Sequence, residues 1–199
     1  MKHIGVVADN IKDAFSVIRE LKRLRVPFEI LGAGCEVPSH VMAIIVCGPR
    51  PCIGFERAIP YEGDARSSVL SAISLASQKE AFDEVVVGID PGESTGFATI
   101  ADGELIEAYV LSGSEAGREV RRILGVYPAK KFRVRIGTGR AFKASLDFLH
   151  GDPRVIVEYV EETKKGVPPA FFRKGLRKDA KSALTIALSG GRGGFGTEV

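Results

Sequence analysis

The chain has 199 residues, 45% of them apolar, with a mean hydropathy of +0.08 and a formal net charge of +3. That length fits one large domain or two small ones with buried cores, and the composition is ordinary for a compact soluble protein. No run approaches the roughly 18 to 20 apolar residues of a membrane span, and the N-terminus enters a strand-like run without a signal-peptide core, so no membrane association and a cytoplasmic location are expected.

The first eighty residues read as alternating strand and helix. His3 to Ala8 is a β-branched run, and Ile11, Phe15, Ile18, Leu21 and Leu24 follow at helical spacing, with Asp9 or Asn10 available as the cap. Pro27 to Leu31 and Val41 to Cys47 are short apolar runs of buried-strand type, closed by Gly32-Ala33-Gly34 and Gly48-Pro49. Ser67 to Gln78 carries a last helical pattern before the polar stretch Ser77 to Glu80. These features predict a small βαβ-type domain over 1–80. Gly32-x-Gly34 invites a nucleotide-binding reading, but the third glycine is missing and no helix follows promptly, which favours a structural turn. Cys35, Cys47 and Cys52 match no zinc spacing and read as buried free thiols.

The pattern changes at Glu84. Val85 to Asp90, Phe97 to Ala101 and Glu104 to Leu111 are three strands joined by tight turns, an antiparallel meander with Asp102-Gly103 at its second turn. Ser114 to Val126 reads as a helix capped by Ser114, and Phe132 to Gly137 as a strand ending in Gly137-Thr138-Gly139. A helix over Ala141 to Leu149, a strand over Arg154 to Val160 and a final helix over Lys178 to Ser189 complete the order βββαβαβα across a predicted second domain, 81–189. The segment 190–199 is glycine-rich and reads as a flexible tail.

Charge is unevenly distributed. Residues 1 to 80 carry ten basic and nine acidic side chains, 81 to 130 carry four and nine, and 131 to 199 carry fourteen and seven. Within the basic end, Lys164, Lys165, Arg173, Lys174, Arg177, Lys178 and Lys181 fall in eighteen residues with one acid, Asp179, among them. Such a cluster suits phosphate groups, and a solvated loop and helix start is the alternative.

Asp90 ends a buried-strand run and is followed by Pro91-Gly92-Glu93-Ser94-Thr95-Gly96. A carboxylate there must be solvated, paired or bound to a metal, and its oxygens suit a hard cation. Gly92 and Gly96 would let the backbone approach a phosphate. The strand and its DPGESTG turn resemble the first motif of the RuvC resolvases and YqgF ribosomal-RNA maturation nucleases, members of the ribonuclease-H-like superfamily. The resemblance runs through about 115 residues but is specific only at three motifs. Val155 to Thr163 is similar to the YqgF strand that ends in Asp-Glu-Arg, with Glu162 matching the glutamate and Thr163 standing where the family has arginine. Strand alternation puts Glu162 on the face of Glu158 and Val160 and Glu161 on the other, so a one-residue slip exchanges them. Glu162 is preferred and Glu161 is held in reserve. Lys174 to Leu184 resembles the family's last helix, which opens with a metal-binding aspartate, here Asp179. Ala183 and Ala187, four and eight residues on, share its helix face and form a small-residue stripe suited to packing on a sheet.

The resemblance implies phosphodiester hydrolysis in structured nucleic acid, either branched DNA such as Holliday junctions or structured RNA. Asp90, Glu162 and Asp179 would be the catalytic carboxylates holding Mg²⁺ or Mn²⁺, with the basic segment against the substrate backbone. Phe171 and Phe172 would either stack on an unpaired base or anchor their loop to the core, and Gly137 and Gly139 would either admit a nucleic-acid strand or simply turn the chain. A junction resolvase would also need a homodimer. The fourth strand ends without the carboxylate usual in RuvC enzymes, as in the YqgF arrangement, leaving three candidate ligands and the number of metals open. Two other readings compete: a non-catalytic module that binds nucleic acid or protein, and an ATP-binding domain of the actin and sugar-kinase kind, for which residues 1–80 supply no second phosphate loop. His150 is assigned no role.

Overall fold

The computed structural model describes residues 3–49, 55–138, 146, 148–149, 151–161, 167–171 and 175–189. Cys52, Gly139, His150, Glu162, Lys164, Lys165, Phe172, Arg173, Lys174, most of the expected helix over 141–149 and the 190–199 tail lie outside those residues. The chain is mixed α/β and divides into two compact units: Met1–Phe82 with Val126–Pro128, and Asp83–Gly125 with Ala129–Val199. Among the described residues no helix is long and apolar enough to cross a membrane.

The first unit holds β1 (His3–Ala8), α1 (Ile11–Leu24), β2 (Phe28–Leu31), β3 (Val41–Cys47), β4 (Ala58–Pro60) and α2 (Ala65–Leu75). Its sheet is all parallel in the order β2-β1-β3-β4. Asn10 caps α1, its side chain accepting from the backbone N–H of Lys12 at 3.1 Å and Asp13 at 3.4 Å. The buried face of α1 is Ala14, Val17, Leu21 and Leu24, whereas Ile11 and Phe15 are 82% and 66% exposed. The expected stripe is therefore corrected by about one residue at its start, because Ala14 and Val17 continue the Leu21–Leu24 face and the larger side chains do not. Asp64 starts α2 two residues before the expected Ser67 by accepting from the N–H groups of Arg66 and Ser67. Strand β4 was not expected. Cys47 is buried and Cys35 half-buried, and neither of the two is in a disulfide.

The second unit holds β5 (Val85–Asp90), β6 (Ser94–Ala101), β7 (Glu104–Ser112), α3 (Ala116–Val126, its last residue falling to the first unit), β8 (Phe132–Gly137), β9 (Val155–Val160) and α4 (Lys178–Leu188). The sheet runs β7-β6-β5-β8-β9. β5, β6 and β7 pair antiparallel, while β8 and β9 continue from β5 in parallel. Asp102 and Gly103 turn β6 into β7 with φ of 46° and 83°, the positive pair that a tight hairpin demands. Ser114 does not cap α3. It lies inside a 3₁₀ turn over Gly113–Glu115 and bonds the Ser112 hydroxyl at 3.0 Å, so the α-helix begins only at Ala116.

The two sheet faces have different occupants. Val85, Val87, Ile89, Phe97, Phe132, Val134 and Ile136 form one face and are almost wholly buried. Tyr109 stacks on Phe97 there and donates a hydrogen bond to Glu119 of α3, which also pairs with Arg122. The other face is covered by α4, where Ala183, Leu184 and Ala187 meet Ala98, Ile100 and Leu105. This second contact positions the candidate site.

Candidate active site

A helix can lie this close to a sheet only where the strands carry little side chain. A methyl group at Gly88 would collide with the Ala183 carbonyl and come within 2.7 Å of the Ala187 Cβ. At Gly96 it would collide with the carbonyl of Asp179 and come within 3.1 Å of the Ala180 nitrogen. These two glycines of β5 and β6 are thus the seats on which α4 rests. Gly96 is consequently unavailable to a phosphate, contrary to the expectation for it, because the Asp179 backbone fills the space.

Asp90 of β5 is the direct ladder partner of Gly96 in β6. Residues paired across a ladder point to the same face, and alternation along β5 gives Asp90 the face of Gly88. Asp90 therefore leaves the sheet on the α4 side, at the end of the strand, beside the point where the first turn of α4 brings Asp179. Both aspartates are partly exposed. Asp179 also lies in the first helical turn, where a negative charge is favoured by the helix dipole. Two hard oxygen donors on neighbouring elements, both reached by solvent, fit a magnesium or manganese ion that keeps some of its waters.

The turn after Asp90 is tied down. Thr95 donates its hydroxyl to the Gly92 carbonyl at 3.1 Å, and the Gly113 N–H donates to the Glu93 carbonyl at 2.9 Å. Gly92, Glu93 and Ser94 remain exposed at its tip.

On the same face, β8 and β9 carry charges that sequence reading passed over. Glu158 is 3% exposed and pairs with both Arg133 and Arg135, the latter through Nε at 2.8 Å. Arg135 also donates to the Ala187 carbonyl at 2.5 Å, satisfying an acceptor near the C-terminus of α4. Arg133 reaches Glu84 as well, at 3.1 Å. Burial alone would raise the Glu158 pKa, but the hydrogen bond from Arg135 and the charge of Arg133 overcome it and hold the carboxyl below its ordinary range. Glu158 is committed to these arginines and to fixing α4. The signal was present in sequence as Arg133-x-Arg135 within a buried strand, since charges there need partners.

Of the other expected site residues, Glu161 follows the end of β9 and is exposed, while Glu162 lies outside the described residues. Arg177, Lys178 and Lys181 are exposed on the start of α4, around Asp179. Phe171 is half-buried and packs with Leu176 on the core beneath α4, which favours anchoring over stacking. Gly137 is buried, and a methyl there would come within 2.9 Å of the Ile186 side chain and 3.4 Å of Pro91, so its bareness serves packing.

No family model and no curated protein matches the chain. Among solved structures, that of Argonaute from Aquifex aeolicus is similar at 14% identity, over 80% of this chain and 35% of that one, with a TM-score of 0.30. The chain spans about a third of the length of that protein.

Proposed function

We propose that the second unit is a divalent-metal-dependent nuclease of the ribonuclease-H-like, RuvC and YqgF kind, cutting phosphodiester bonds in structured nucleic acid. The observation that carries the proposal is the seating of Asp179 on Gly96, the ladder partner of Asp90. It draws together two aspartates 89 residues apart, each from a motif that resembles the family's. The strand order β7-β6-β5-β8-β9, with an antiparallel trio extended by two parallel strands, supports the same reading.

Asp90 and Asp179 would hold Mg²⁺ or Mn²⁺, with Glu162, or Glu161 in its place, as a third ligand. Bound there, the ion would supply an activated water and stabilise the leaving oxygen. The chain's own part is electrostatic and positional. Arg177, Lys178 and Lys181 stand around Asp179 and would take phosphates next to the scissile one, joined by Lys164, Lys165, Arg173 and Lys174. The Arg135 bond to Ala187 and the glycine seats fix the helix, so Asp179 keeps its position as substrate enters.

A non-catalytic binding module is the second reading. It is favoured by β8, which ends without a carboxylate, and by the commitment of Glu158 to Arg133 and Arg135. The deciding experiment compares wild type with Asp90→Asn and Asp179→Asn on labelled four-way DNA junctions, duplex DNA and structured RNA, with Mg²⁺ or Mn²⁺. Cutting that needs metal and disappears in both variants supports the nuclease, and the substrate that is cut separates resolvase from RNA maturation. Binding without cutting, unchanged by either substitution, selects the module. A resolvase would further sediment as a homodimer.

A further inference from the structure

Three metal-ligating side chains converge in the first unit, none of them assigned to the site described above. His3 opens β1, Glu29 lies in β2, and His40 immediately precedes β3. β1 lies between the other two strands, with Gly5 paired to Glu29 and His3 paired to Val41, so the three residues come from adjacent positions at one end of the sheet. The β1–β3 ladder slips by one residue between His3 and Ile4, right at this cluster. Slips of this kind re-aim a side chain and are enriched beside functional sites.

One ligand atom from each residue lies within 4.8 Å of the others. His40 Nε2 and Glu29 Oε2 are 2.9 Å apart, and the His3 and His40 rings meet edge to face with centroids at 4.9 Å. A surface histidine–glutamate contact is worth only about 0 to 1 kcal/mol and needs no second imidazole. A metal ion does use one. Tetrahedral zinc with bonds of about 2.0 to 2.1 Å sets its ligand atoms roughly 3.3 Å apart, which small side-chain rotations reach from the observed spacing. Two imidazoles with one carboxylate suit zinc and not magnesium, which prefers all-oxygen sites. His40 and Glu29 are 54% and 42% exposed, so water can enter to complete the shell.

We propose that His3, Glu29 and His40 form a zinc site with three protein ligands and an open fourth position. The ion fastens β2 and the start of β3 to the edge of β1, and zinc therefore stabilises the fold by binding it and not the unfolded chain. The proposal is independent of the nuclease reading.

The test is titration of the tag-free full chain with Zn²⁺ by calorimetry, with Co²⁺ absorption as a probe of coordination. The expected result is a zinc equivalent that survives Asp90→Asn and weakens by about tenfold or more in His40→Gln and in Glu29→Gln, since even outer-shell changes cost that much. Wild type should gain thermal stability with zinc, and the variants should not. Ring-nitrogen NMR of unmutated protein gives a readout that needs no variant: Zn²⁺ should shift the His3 and His40 signals together and spare His150. No zinc binding, binding that is equal in wild type and His3→Gln/Glu29→Gln/His40→Gln, or unmoved His3 and His40 resonances would each overturn the proposal.

Discussion

Substituting Gly96→Ala tests the central geometric claim without touching a carboxylate. The added methyl meets the Asp179 carbonyl and the Ala180 nitrogen, both backbone atoms, so no rotamer change relieves the contact. To recover an ordinary separation, the first turn of α4 must retreat by roughly 1 Å. Overpacking of this sort costs about 1 to 3 kcal/mol, which for a domain of this size lowers the melting temperature by roughly 5 °C per kcal/mol. A carboxylate displaced by about 1 Å from a reacting centre loses on the order of a hundredfold in rate. The variant should therefore melt earlier and, on the proposed nuclease reading, bind Mn²⁺ more weakly and lose cleavage, although Asp90 and Asp179 are both present. Differential scanning calorimetry and Mn²⁺ titration measure the two effects on one sample. A variant as stable as wild type, with unchanged Mn²⁺ binding, would refute the close seating of α4 on β6.

Gly103→Ala provides the matching control: at φ of 83° the alanine is strained by about 1 kcal/mol, so denaturant melts should shift while metal binding stays as in wild type. Glu158→Gln removes the shared partner of Arg133 and Arg135 and should cost about 2 kcal/mol at neutral pH, below the usual buried-pair figure because both arginines reach solvent in part and Arg133 keeps Glu84. The pKa of Glu158 is depressed in the fold, so its contribution is complete above the unfolded value of about 4.3 and is lost as pH falls through the folded one; chemical denaturation should show wild type and Glu158→Gln converging as pH is taken down beneath the ordinary glutamate range. Burial, with a smaller contribution from Asp13, pushes the Cys47 thiol up to about 11, so iodoacetamide at pH 8 should leave Cys47 unlabelled in the native protein and label half-buried Cys35, with peptide mass spectrometry reading both.

Periodicity made most of the second unit legible. Val85 to Asp90 is a continuous apolar run with a charge at one end, and the glycine-containing turns on either side of β6 leave little choice but a meander. Asp179, Ala183 and Ala187 recur every four residues, and the latter two are in fact what meets Gly88. What escaped were features set by partners distant in the chain. β4 is three residues long and ends in Pro60, too short for any period to register. In α1, two overlapping apolar stripes are written into the sequence, and only contact with the rest of the unit decides that Ala14 and Val17 face inward while Ile11 and Phe15 do not. The Arg133–Glu158–Arg135 cluster and the His3–Glu29–His40 cluster each depend on strand register, which single-sequence patterns do not carry.

Register also bears on the third carboxylate. Alternation through the ladder aligns Gly88, Arg135 and Glu158, so Glu158 shares the face of Asp90 and is the acidic side chain of β9 that geometry would first nominate. Its two arginines hold it, because releasing it to a cation would leave Arg135 with only the Ala187 carbonyl and Arg133 with only Glu84. On the proposed reading the next acid comes from beyond Val160, where β9 ends. That ending weakens the parity argument that preferred Glu162, since strict alternation holds only while the strand lasts. Glu161 is exposed at the first position past the strand, and a chain leaving a sheet edge can turn either neighbour toward Asp90. The choice between Glu161 and Glu162 is therefore not made by strand alternation, whereas the close approach of the Asp179 backbone to Gly96, the ladder partner of Asp90, rests on a bare glycine in the sheet itself.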